Sequence, residues 1–105
     1  MDRRRYDEEA DRLIGSRVAE LRELTFDGAS ALPEAVDGAV LVGGRKCVLT
    51  TFRQGLRPEE VLITVQVTRR TWLGLGSIHR EKAIVFHRDG SVRDASPREL
   101  LVSGG

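Results

Sequence analysis

The chain of 105 residues contains one cysteine, three prolines, one tryptophan, one tyrosine and three phenylalanines, and it has no long apolar run. With Cys47 alone there can be no intrachain disulfide and no cysteine-rich metal site, so packing and hydrogen bonds must hold the fold. The longest uninterrupted apolar stretch, Ala39 to Val42, falls far short of the ~20 residues that a membrane-crossing helix requires. The opening Met1-Asp2-Arg3-Arg4-Arg5-Tyr6-Asp7-Glu8-Glu9 follows its basic residues with acids, which excludes a secretory signal of the usual kind. Together these absences predict a soluble, cytoplasmic protein without membrane contact. Charge of one sign is also missing: 17 basic residues stand against 16 acidic ones, a net +1. Total charge therefore gives no reason to expect nucleic acid.

What is present is a globular mixture, 40% hydrophobic with 11 glycines, of a length that suits one domain over residues 1–105. Tyr6, Ala10, Leu13, Ile14, Val18, Leu21 and Leu24 recur at spacings of three and four, which predicts an amphipathic helix from Tyr6 to Leu24. Gly15 within it costs about 1 kcal/mol relative to alanine unless another backbone approaches there. Thr25 to Gly38, with Asp27-Gly28, Pro33 and Asp37-Gly38, reads as a connection with one helical turn after Ser30.

Beyond the connection the period changes to two. Ala39 to Val42 and Arg45 to Arg53 flank Gly43-Gly44, a pair suited to a tight hairpin turn. Val61, Ile63, Val65 and Val67 alternate with Leu62, Thr64, Gln66 and Thr68 in a strand from Glu60 to Thr71, one face of which is expected to pack on the core. A further strand from His79 to Arg88 turns at Asp89-Gly90 and returns through Ser91 to Asp94. Ser96-Pro97-Arg98-Glu99 has the cap, the proline and the glutamate of a short C-terminal helical turn.

An apolar sheet face needs a cover, and the N-terminal helix is the only long element able to supply it. The expected fold is α+β, with a long helix packed on a curved antiparallel meander of four to five strands. This layout resembles cystatin-like and NTF2-like folds in topology, and the resemblance implies no function.

Several constellations bear on chemistry. His79 and Glu81 point to the same side of their strand and form an acid/base candidate for the concavity between helix and sheet. His79 and His87 lie eight residues apart, roughly 26 Å along a strand, too far to share a metal. Cys47 reads as a small buried side chain. Gly43-Gly44-Arg45-Lys46 and Gly74-Leu75-Gly76 lack the spacing of phosphate-binding loops and read as turns. No metal and no cofactor are expected.

The charge distribution says more than its total. Residues 1–37 carry six basic and ten acidic side chains, whereas residues 38–105 carry eleven and six. Arg69, Arg70, Arg80, Lys82 and Arg88 cluster on one pair of strands near Trp72. Such a basic sheet face suits an acidic protein surface or, with less support from its single aromatic, single-stranded nucleic acid. Trp72, Leu73 and Leu75 form an apolar connection where polar residues are usual, and with Arg69, Arg70 and Arg80 they have the composition of an interface hot spot. The open ends of a small meander offer a second route to association. The leading expectation is a non-enzymatic protein-binding module of adaptor, immunity or assembly type. It would self-associate as a homodimer through the sheet face or the Trp72 connection. The alternatives are a small-molecule or acid/base site at His79 and Glu81, and nucleic-acid binding.

Overall fold

The computed structural model describes the backbone of residues 3–70 and 77–96 and the side chains of residues 5–69 and 80–96. Helix α1 (Arg3–Arg22) leads into a short α2 (Phe26–Ser30). Five strands follow: β1 (Ala35–Val42), β2 (Arg45–Arg57), β3 (Glu60–Arg70), β4 (Ser77–His87) and β5 (Val92–Asp94). They form one antiparallel sheet whose spatial order is the chain order. The α+β class and the helix-on-meander arrangement are as the sequence predicts, and the layout is compatible with the cystatin-like and NTF2-like topologies. The expected C-terminal turn at Pro97 to Glu99 lies outside the described residues.

α1 buries Tyr6, Ala10, Ile14, Val18 and Leu21 against the sheet. It begins at Arg3, three residues earlier than the apolar stripe requires, and ends at Arg22, where a bond from the Leu24 N–H to the Leu21 carbonyl (2.9 Å) tightens the last turn. Gly15 is exposed and a Cβ there would meet nothing within 4 Å, so no close backbone approach explains it. The short helix precedes Ser30 rather than following it, because the Thr25 hydroxyl accepts a hydrogen bond from the Gly28 N–H (3.0 Å) and caps α2.

β1 begins at Ala35, so Asp37-Gly38 lies inside a strand and not in a turn. The local turn preference is overridden by eight rows of pairing with β2 and by the Thr50 hydroxyl, which donates to the Asp37 carboxylate at 2.8 Å. Gly43 and Gly44 have φ of 60° and 77°, the left-handed values a two-residue hairpin demands. The Gly43 N–H donates to the Glu9 carboxylate and ties that turn to α1. β2 also runs past its expected end at Arg53 to Arg57, with an irregularity between Gly55 and Arg57.

Two faces of the sheet are buried where one was expected. Val61, Ile63, Val65 and Val67 of β3 meet α1 together with Ile84 and Phe86 of β4. On the opposite face Leu62, Ala83 and Val85 are equally buried, with Leu56 and Ala95 packed on them. The unbroken run Ala83-Ile84-Val85-Phe86 is the pattern of a strand covered on both sides.

α1 packs chiefly on β4 and β3. A helix about 10 Å across covers roughly two strands spaced ~4.8 Å apart. β1, at the far side of the sheet, is consequently left largely uncovered: only Val42 is fully buried and only Val40 partly so.

Candidate functional site

Arg69, Arg80 and Lys82 lie on the α1 side of the paired strands β3 and β4. Arg80 forms a two-pronged ion pair with Asp11 of α1, at 3.1 and 2.8 Å. Arg69 lies over the Tyr6 ring, 5.3 Å from its centre. Arg22 of α1 pairs with Asp94 of β5, and Arg88 stacks on Phe26 at 5.6 Å. Of these contacts Arg80–Asp11 joins a sheet base to a helix acid, and Arg22–Asp94 joins a helix base to a sheet acid. Trp72, Leu73, Leu75 and the side chain of Arg70 lie outside the described residues.

The acid/base candidates do not meet in the helix–sheet concavity. Glu81 alternates with Arg80 and Lys82 and sits on the face turned away from α1, where its carboxylate accepts from the Gln66 amide at 2.8 Å. His79 pairs with Thr68 in the ladder, and its side chain lies outside the described residues. The space under α1 is filled by Tyr6, Ile14, Val18, Leu21, Ile63, Val65, Ile84 and Phe86. Tyr6 is only 1% exposed. Its hydroxyl is pushed up to about 12, first by burial and then by its hydrogen-bonded neighbour Cys47. Cys47 is a buried free thiol, as its strand position suggests.

A second titratable group is at the opposite end of the sheet. His87 stands between Asp89, 3.1 Å from Nδ1, and Glu59, 3.8 Å from Nε2. The Asp89 N–H also approaches Nδ1, at 3.0 Å. Hydrogen bonds from Ser91 hold the Asp89 carboxyl below the usual carboxylate range, and His87 acts in the same direction. Beside it, Glu60 is nearly buried between Arg57 (3.6 Å) and Arg93 (3.4 Å). An open groove of ≈ 320 Å³ is lined by Arg57, Pro58, Glu59, Glu60 and His87. None of these is a hydroxyl or thiol nucleophile, and their contacts close the turns that carry them. Among the described residues no group of three or more His, Cys, Asp and Glu side chains is placed to hold a metal ion.

The remaining open feature is the β1 edge. The Arg53 N–H donates to the Glu34 carbonyl (2.9 Å), so even-numbered residues along β1 bond inward to β2. By the alternation of an antiparallel ladder, Ala35, Asp37, Ala39 and Leu41 point their N–H and C=O groups outward. No described strand pairs with them. The edge carries no lysine, no proline and no bulge, the usual devices that discourage added strands. The exposed large apolar side chains among the described residues are Leu41 (65%), Val48 (42%) and Val36 (41%), all on this edge or in the strand beside it.

This cluster is missing from the sequence reading. The sequence predicts open sheet edges in general, and it reads Ala39 to Val42 as an apolar strand, but it singles out none of these side chains. The chain matches no protein-family profile, no curated protein and no solved structure.

Proposed function

We propose that this chain is a non-enzymatic protein-binding module that receives an extended segment of a partner protein on the edge of β1. The observation that carries this reading is the conjunction of an unprotected eight-residue edge with Leu41, Val48 and Val36 exposed around it. Backbone groups of such an edge supply affinity and the flanking side chains supply selection. A buried free thiol fits the reducing cytoplasm expected of it. Nucleic-acid binding is weaker, because Arg69 and Arg80 engage Tyr6 and Asp11 of the same chain.

A photo-reactive amino acid placed at Leu41, and at exposed Glu23 just after α1 for comparison, tests the reading in living cells by mass spectrometry. The expected result is protein adducts, to self or to other chains, at Leu41 well above those at Glu23. Equal labelling at both positions overturns it. Replacing Trp72 by alanine in the Leu41 variant shows whether the Trp72 connection contributes to the same contact.

A further inference from the structure

Resting on the edge-binding reading, we infer that the added strand is β1 of a second copy, antiparallel to the first, about a twofold axis through Ala39. A twofold perpendicular to the sheet keeps both α1 helices on one side, so like faces must meet across the seam. Outward-bonding positions then pair only with outward-bonding positions. With Ala39 on the axis, Ala39 pairs with its own copy, and Asp37 pairs with Leu41 in both directions. Each of these three rows exchanges two backbone hydrogen bonds. The axis falls near the middle of Ala35–Val42, as an edge used by itself requires.

Charge and packing favour this register over those centred closer to Ala35. An axis through Asp37 would set two carboxylates directly opposite each other, which is destabilising. An axis through Gly38 would put two glycines at the centre and leave Leu41 against Ala35. With the axis at Ala39, Asp37 lies beside the second copy's Leu41. Lys46, the ladder partner of Leu41, is one strand further on. Two strand spacings amount to roughly 10 Å, within reach of an extended lysine leaning over Leu41 toward a carboxylate. Each Asp37 thereby gains a cation from the other copy.

The apolar groups fall into place in the same register. Val48 is the ladder partner of Ala39, so Val48, Ala39 and their copies form one continuous row on the face away from α1. On the helix side Val36 comes beside the second copy's Val42. The three exposed large apolar side chains therefore all lie in or next to the seam. Among the described residues α1 packs chiefly over β3 and β4 and reaches the β1–β2 turn through Glu9, and the outward edge offers alanine at two of its four positions.

Sedimentation equilibrium of the full chain from low to high micromolar concentration provides the test. The expected result is a reversible dimer. Ala39→Pro removes an outward N–H without touching the β1–β2 ladder and is expected to weaken the dimer by about tenfold or more with an unchanged melting temperature. Lys46→Glu is expected to weaken it as well, and adding Asp37→Lys to restore it, because the two positions face each other only in this register. A dimer indifferent to Ala39→Pro overturns the inference by placing the interface elsewhere. A monomer at every concentration that still yields adducts at Leu41 to other proteins overturns the inference and leaves the edge-binding reading standing. A monomer without such adducts removes both.

Discussion

The half of the sheet under α1 and the half that ends in β1 differ in nearly every respect. Most of β3 and residues 83–86 of β4 are buried on both faces, and the sheet around them is tied to α1 by the Arg80–Asp11 pair, the Arg69–Tyr6 contact and the Tyr6–Cys47 hydrogen bond. Among the described residues β1 pairs with β2 alone, turns a row of backbone groups outward and has exposed apolar side chains on both faces. One helix is too narrow to cover five strands, and the uncovered portion is left exposed. Stability rests on the covered half, and the association we propose on the uncovered one.

The largest effect that tests this division is in the core. Phe86→Ala, at the centre of the covered half, is expected to destabilise by roughly 3–5 kcal/mol, measured by chemical denaturation. A loss below about 1 kcal/mol would mean that the covered half does not dominate stability.

The next effect comes from alkaline titration. Tyr6 is the only tyrosine, so tyrosinate absorption reports it alone. The midpoint is expected near pH 12 in the folded chain and near 10 in denaturant. The raised folded value means that the buried neutral phenol contributes its full stability below pH 10 and loses it as pH rises toward 12, on the order of 2 kcal/mol in all. Tyr6→Phe is expected to flatten the stability curve over that window. An unshifted midpoint would show that the helix does not seal Tyr6 against the sheet.

Smaller changes follow at the surface. Gly15→Ala has open space for its methyl group and is expected to raise stability by about 1 kcal/mol, seen as a higher melting temperature. Asp11→Asn removes the partner of Arg80. Both side chains are half-exposed, so the expected loss is below about 1 kcal/mol and shrinks further in high salt. Leu41→Lys is expected to leave monomer stability unchanged within about 0.5 kcal/mol. A large destabilisation from Leu41→Lys would dissolve the contrast between the halves.

Much of the covered half is legible in the residues themselves. The three-and-four spacing from Tyr6 to Leu21, the alternation through Val61 to Val67 and the glycines at 43, 44 and 90 each report a local geometric requirement. The beginning of β1 is not legible, because Asp37-Gly38 has turn chemistry and becomes a strand only when β2 pairs with it. Nor is the second buried face, since Leu62 and Thr64 read as the solvent side of an alternating strand until Val85, Ala83 and Ala95 are brought beside them.

Charge follows the same division. The excess of acid in the first third and of base in the remainder is a property of the chain. That Asp11 receives Arg80 and Asp94 receives Arg22 depends on how the helix lies across the sheet. The sequence by itself determined the elements whose signals are local: helix period, strand alternation and turn glycines. Tertiary structure alone decided which charges were neutralised within the chain and which edge was left open. Those outcomes depend on the width of one helix against the width of five strands, and on residues dozens of positions apart that meet only after the chain has folded.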